Sequence, residues 1–257
     1  MTYEHERDIP YEQKVSSYAI KFYDMHDEEI LIPDRVLKEA YTEIDSIKQA
    51  EGMVGGLSAP SKMPSYAWSI SAKRCNIGSK LAQVKDSVCY NCYALKGRYM
   101  FGNTQGALER RFKAWNSDRD KWVDAMIYIM HNKKHIKETG HFRWFDSGDI
   151  QGEDMLSDIN TVAWASPTIR FWLPTKEYKL IKDTKLDIAP NLIIRVSNPN
   201  VDSSTLNGYK HISTVYSKDN LINSEGYICP SSKQGNKCGD CRACWSDKVE
   251  EVSYIAH

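Results

Sequence analysis

Four of the seven cysteines fall within sixteen residues, as Cys229-Pro230 followed by Cys238-x2-Cys241-x2-Cys244. Thiols at consecutive two-residue gaps, with a further cysteine before a proline, form a pattern that wraps an iron–sulfur cluster. Zinc knuckles come instead as separated Cys-x2-Cys pairs, so the triple favours iron–sulfur and leaves zinc as the alternative. Cys75, Cys89 and Cys92 make a second group, spaced x13 and x2. Three thiolates would leave one iron of a cubane open to substrate or cofactor. The competing readings make Cys75 a buried hydrophobe, or give all seven cysteines to the neighbourhood of one cluster with four ligands.

Other residues have a type and place suited to chemistry. Asp146 and Asp149 follow an apolar run and suit acid–base work or ribose hydroxyls, or cap a loop. Thr175, Lys176 and Glu177 follow Pro174 and read either as site residues or as a helix start with Thr175 as N-cap. Arg195 lies inside an apolar run, and a buried guanidinium needs an anion: a ligand, or one of those aspartates. His131 and His135 are four apart, a metal-ligand spacing, but among Lys133, Lys134 and Lys137 they read better as cations at a helix C-terminus.

The elements that would position these residues come in two regimes. Tyr18, Ile20 and Phe22 alternate, Ile30 and Ile32 follow a polar turn, and a hairpin is expected there. A helix capped at Pro33-Asp34 should run to about Gly52, and a glycine-rich stretch at 52–56 marks a boundary. Residues 56–96, rich in Ser, Pro, Gly and Cys, resist assignment. Helices are expected over 104–115 and 118–137. Beyond that, strands at 142–145, 169–173, 192–196 and 212–216 alternate with helices at 153–164 and 178–183. Such alternation implies parallel pairing with right-handed crossovers, with the polar candidates just past the strand ends, where barrel folds build their sites.

The totals bound the function. At 257 residues, 41% hydrophobic and 26% charged, the chain reads as an ordinary globular protein. Its net charge of zero argues against broad nucleic-acid binding. No apolar run approaches the roughly 20 residues needed to cross a bilayer, and the N-terminus lacks the form of a signal peptide. Reducing cytosol is the expected compartment, where clustered cysteines favour metal over disulfides.

Six stretches resemble the bacteriophage "gene product 88" family. They are Leu57-Ser-Ala-Pro-Ser-Lys-Met63, Cys89-Tyr-Asn-Cys-Tyr-Ala-Leu-Lys-Gly-Arg-Tyr99, Arg143-Trp-Phe-Asp-Ser-Gly-Asp149, Phe171-Trp-Leu-Pro-Thr-Lys-Glu177, Asn191-Leu-Ile-Ile-Arg-Val-Ser197 and Cys238-Gly-Asp-Cys-Arg-Ala-Cys-Trp245. The resemblance covers residues 56–257 and implies a phage-encoded protein in the cytoplasm of an infected bacterium, with no settled activity. Cys229-Pro230 resembles the remote fourth ligand of ferredoxins. Cys89-x2-Cys92-Tyr93 is similar to the end of the Cys-x3-Cys-x2-Cys-aromatic motif of radical-SAM enzymes. There a [4Fe-4S] cluster binds S-adenosylmethionine and the aromatic residue lies near the adenine. Here thirteen residues, not three, precede Cys89, and Asp146-Ser-Gly-Asp149 would have to replace the usual glycine-rich stretch.

The expectation is therefore an α/β protein, a partial or complete (β/α) barrel of radical-SAM-like outline with cysteine-rich cluster-binding loops. Residues 1–55 would form a hairpin-plus-helix extension and 56–257 the main domain. Cys229, Cys238, Cys241 and Cys244 would hold one [4Fe-4S] cluster, and Cys75, Cys89 and Cys92 a second. Tyr93, Asp146, Asp149, Thr175 and Arg195 would face a cofactor, with S-adenosylmethionine the candidate and a host protein the electron donor. The rivals are an electron-transfer or structural iron–sulfur protein and a zinc-stapled binding module.

Overall fold

The computed structural model describes residues 44–203 and 206–256. The expected N-terminal hairpin lies outside them, as does most of the helix expected before Gly52. Within the described residues, α1 (Ile47–Met53) starts at Ser46, which is extended and whose side chain accepts from the Gln49 amide as an N-cap.

Among the described residues the centre is one seven-stranded sheet in the order β1-β2-β3-β4-β5-β7-β6. The strands are β1 (Ala67–Trp68), β2 (His141–Trp144), β3 (Arg170–Thr175), β4 (Leu192–Val201), β5 (Ile212–Tyr216), β6 (Tyr227–Ile228) and β7 (Glu251–Ile255). Every ladder is parallel. Parallel neighbours need a crossover between them. The β1–β2 crossover carries α2 (Asn76–Leu81), α3 (Gly102–Ser117), α4 (Arg119–Asn132) and α5 (Lys134–Thr139). The β2–β3 crossover is α6 (Glu153–Trp164), and β3–β4 contains α7 (Tyr178–Asp183). The chain is thus α/β with a parallel sheet, and β1 and β6 are its two ends.

The register sorts the side chains onto two faces. Trp68 and Trp144 are partners across β1–β2, Phe142 and Phe171 across β2–β3. These residues are fully buried against the apolar stripe of α4, Trp122, Ala125, Met126, Ile129 and Met130, and against Met155, Ile159 and Val162 of α6. Trp68 lies edge-on to Trp122 at 5.0 Å and donates from its indole to Val54 O at 2.9 Å, which ties α1 to the sheet. The second face carries Arg143 opposite Trp172, and Arg195 opposite Pro174. It has a smaller core of Trp172, Ala243, Cys244, Trp245 and Val252. Its cover is the β6–β7 crossover, a cysteine-rich loop with only short helical turns at Pro230–Lys233 and Ala243–Trp245.

The helix expected over 118–137 is two helices. Lys133 is extended between them, and its ammonium pairs with Glu51 at 2.7 Å and lies 4.4 Å from the Tyr66 ring centre. The break separates His131 from His135. His131 shares a hydrogen bond with Ala165 O at 2.7 Å, and His135 meets the edge of Tyr66.

Truncating Trp68 to Ala should cost about 3–5 kcal/mol of stability, because a buried indole, its ring contacts and its hydrogen bond go together. Ile222→Ser, at a side chain 88% exposed, should change stability by less than about 0.5 kcal/mol. Urea unfolding of the two variants beside the parent measures both.

Candidate metal and cofactor sites

The first cysteine group sits past the C-terminal ends of β1, β2 and β3. Cys75 precedes α2, and Cys89 and Cys92 follow it in a turn closed by the Cys92 amide on Cys89 O at 3.1 Å. A side-chain carbon placed on Gly78 would stand 3.6 Å from both the Cys75 and the Cys89 sulfur. The two sulfurs are therefore at most twice that distance apart, and Gly78 keeps the space between them open. Burial, then Asp149, then Cys92 and Cys89 push the Cys75 thiol upward. Burial raises Cys89 as well, while Lys176 opposes.

Asp149 organises this rim. Its carboxylate accepts from the Lys176 and Ile150 amides, each at 2.8 Å, so it bolts the end of β2 to the end of β3. Burial lifts its pKa to about 6, and the hydrogen bonds from Thr175 and from the Lys176 amide hold it back. Thr175 Oγ1 accepts from the Glu177 amide at 3.0 Å, and Glu177 reaches back to accept from the Ile77 amide of α2 at 3.3 Å. Thr175 is therefore not the N-cap expected of it: it ends β3, the N-cap of α7 is Glu177, and the Thr175 side chain bonds the turn between them and Asp149. Lys176, read from sequence as part of a helix start, is the cation beside Cys89; nothing in its spacing signals that.

Asp146 serves a different neighbourhood. It accepts from Ser69 Oγ and from Tyr99 Oη, the latter at 3.2 Å. Tyr93 donates to its backbone carbonyl at 2.5 Å; the ring is half exposed while the hydroxyl is seated. The turn between the two aspartates needs Gly148, whose φ is +84° and where a Cβ would stand 2.5 Å from Ile70.

The second group is gathered by the β6–β7 crossover. The Cys229 amide donates to Ser253 O at 2.8 Å, and the Cys238 amide to Lys62 O at 2.9 Å. Hydroxyls surround the sulfurs: Tyr227 stands 3.5 Å from Cys241, Tyr254 3.1 Å from Cys244, and Ser231 3.3 Å from Cys229. Cys244 is buried, which pushes its thiol up to about 12; Tyr254 and Arg195 oppose. Burial also raises Cys238, followed by its neighbours Cys229 and Cys241. Tyr254 lies on β7, a strand the sequence reading passed over, although its alternation of Val252 and Tyr254 is a strand signal.

Arg195 holds this loop. It is fully buried, and its donors go to backbone carbonyls and not to an aspartate. Nε donates to Cys244 O at 3.0 Å. One terminal nitrogen reaches Ile212 O and Glu250 O, and the other Ala243 O, Ser246 O and Val249 O at 2.7–2.9 Å. Arg143, two strands away on the same face, packs 4.2 Å from the Trp172 ring centre and feels Tyr93 and Asp146 on one side, Tyr254 and Cys244 on the other.

All seven cysteines are free thiols. Among the described residues no three His, Cys, Asp or Glu converge as a ready site for a single ion. The donor sets do fit a thiophilic centre. In each set a thiol, Cys75 in one and Cys238 in the other, is raised by burial and then by its neighbours, a cost that a bound cation would reverse by taking the thiolate. No helix among the described residues is long and apolar enough to cross a membrane.

Comparison with known proteins gives a family. The model described as Gene product 88 matches residues 42–247, opening ahead of Gly56 and taking in both cysteine groups. No curated protein and no solved structure matches the chain.

Arg195→Met should lower stability by about 3 kcal/mol or more, since buried carbonyls lose their donor. Arg195→Lys should recover only part of this, because one ammonium cannot reach six acceptors. Both variants should label faster at Cys244 with a thiol reagent and be cut by protease within 229–250; labelling and cleavage at the parent's rates would contradict the clamp.

Proposed function

The chain belongs to the gene product 88 family of phage proteins, and from that premise we propose that it is an iron–sulfur protein made in the cytoplasm of the infected bacterium. Cys229, Cys238, Cys241 and Cys244 hold one [4Fe-4S] cluster, and Cys75, Cys89 and Cys92 hold a second with one iron open. The observation that carries the reading is the sorting of seven free thiols into two groups, one past the strand ends and one clamped by Arg195. Zinc on the same thiols remains the rival, and its support is the same donor set.

Such clusters, when bound, supply one-electron chemistry. The chain's own residues define what can be done around it. Lys176 offsets thiolate charge at Cys89 and Cys75, and Asp149 holds the ends of β2 and β3 in register under them. The hydroxyls of Tyr227 and Tyr254 lie against Cys241 and Cys244, where hydrogen bonds to sulfur tune a cluster's potential. Arg195 positions the loop rather than a ligand. Thr175, beside Asp149, lies on the rim where a cofactor would meet the first group, and Tyr93 and Asp146 would meet it from the adjoining neighbourhood of Ser69 and Tyr99.

The finer reading is radical-SAM-like: an open parallel sheet curved as a partial barrel, S-adenosylmethionine on the open iron, and a host electron donor. Its support is the parallel sheet with the Cys89-x2-Cys92-Tyr93 turn past the strand ends. The x13 spacing after Cys75 favours the second reading, an electron-transfer or structural protein without chemistry of its own.

Anaerobic purification with iron and sulfide counts tests the proposal. The parent should carry about eight irons, Cys241→Ser about four, and Cys89→Ser about four. Zinc in place of iron in all three would overturn it. Reduced parent protein that consumes S-adenosylmethionine to give 5′-deoxyadenosine decides for the enzyme reading; a reversible redox couple with no such product decides for electron transfer.

A further inference from the structure

Arg143 opens the motif Arg143-Trp-Phe-Asp-Ser-Gly-Asp149, and the iron–sulfur reading gives it no role. It stands on the loop-covered face of the sheet, opposite Trp172. No carboxylate among the described residues lies within ion-pair distance of it. Asp146 acts on it from farther off, and that carboxylate is taken by Ser69 and Tyr99. What the guanidinium meets is uncharged: the Trp172 ring at 4.2 Å, the Met63 sulfur, to which Nη1 donates at 3.2 Å, and the Tyr93 hydroxyl. Nε is enclosed and has no hydrogen-bond partner among the described residues. Such a cation is costly unless something anionic is brought to it.

Its contacts say where the anion would come from. Met63 and Trp172 belong to the small core in which Cys229, Cys241 and Cys244 pack. Lys62, next to Met63, accepts from the Cys238 amide at 2.9 Å. The residues that hold the guanidinium therefore also hold the thiols of the second group. Burial pushes Cys238 and Cys244 upward, and Arg143 is among the cations that oppose it, with Arg242 at the first and Arg195 at the second. Arg195 has spent its donors on loop carbonyls; Arg143 has not.

We propose that Arg143 is the counter-cation of the centre held by Cys229, Cys238, Cys241 and Cys244 and sets its reduction potential; this rests on the iron–sulfur reading above. A cubane with four thiolates is an anion, and one more electron makes it a larger one. A fixed cation beside it favours the reduced state. The hydroxyls of Tyr227 and Tyr254 tune the same potential by hydrogen bonding but bring no charge. The two needs close on each other: crowded thiolates lack positive charge, and the guanidinium lacks negative charge.

The Cys89→Ser protein, purified anaerobically, isolates the second centre for the test. Titration with dithionite and redox mediators, followed by EPR of the reduced cluster, gives its midpoint. Adding Arg143→Met should make reduction about tenfold or more harder, a fall of about 59 mV or more for one electron. Adding Arg143→Lys keeps the charge and should hold the equilibrium within about threefold of the Cys89→Ser protein. Iron should stay near about four per chain in all three. Equal midpoints in all three overturn the proposal, and so do equal falls with Met and Lys, which make Arg143 a packing residue. A cluster kept with Lys and lost with Met supports it, because thiolate charge is then left uncompensated; a cluster lost with both overturns it. A Cys89→Ser protein that holds zinc and no iron defeats the iron–sulfur reading itself and the proposal with it, and is told apart by having no EPR signal to titrate.

Discussion

The buried guanidinium of Arg195 is the interaction on which the cysteine-rich half of this protein depends. A charged side chain in an apolar strand is costly unless every donor is satisfied. Here the donors go to carbonyls of a loop that has little regular structure of its own. The exchange works in both directions. The loop's unpaired carbonyls gain a partner they would lack in a buried crossover, and the arginine gains the partial negative charge it needs. Cys244, inside the clamped stretch, is thereby fixed against Trp172 and Val252 of the sheet.

Topology explains why such a clamp is needed. Parallel strands must be joined by a crossover, and most crossovers cover the sheet with a helix that brings its own apolar stripe and its own satisfied backbone. The face under α4 and α6 is of that kind, a wide aromatic and aliphatic core. On the other face the β6–β7 crossover is a thiol-bearing loop with a core of a few residues. Arg195, the hydroxyls of Tyr227 and Tyr254, and the anchors at Ser253 and Lys62 do there what a helix does on the opposite side. The first thiol group is likewise set in the irregular opening of the β1–β2 crossover, with Asp149 and Glu177 fixing the strand ends around it.

Strong periodicity made much of this legible. The stripe of α6, the boundaries of α7 and of β5, and the apolar first half of β4 can be read directly, as can the grouping of the cysteines; the polar second half of β4, to Val201, carries no such signal. The split at Lys133 could not be read, because it is made by a tertiary pairing with Glu51 and Tyr66 rather than by a local breaker. β1 and β6, two residues each, are too short for any period, and β7 was hidden behind the cysteine run. Arg195 announced itself as a buried charge needing an anion, but carbonyls seventeen to fifty-five positions away leave no local trace. Asp146 and Asp149 look like one motif in sequence; a positive φ at Gly148 turns them to separate neighbourhoods.

The central claim is that the two thiol groups hold multi-iron centres on a sheet built to position them. X-ray absorption at the iron and zinc edges of anaerobically purified protein tests it most directly. The account predicts iron in a sulfur shell with a resolved iron–iron vector, diminished but not lost in a variant lacking Cys241. A zinc edge with about four sulfurs at about 2.3 Å and no metal–metal vector would contradict it.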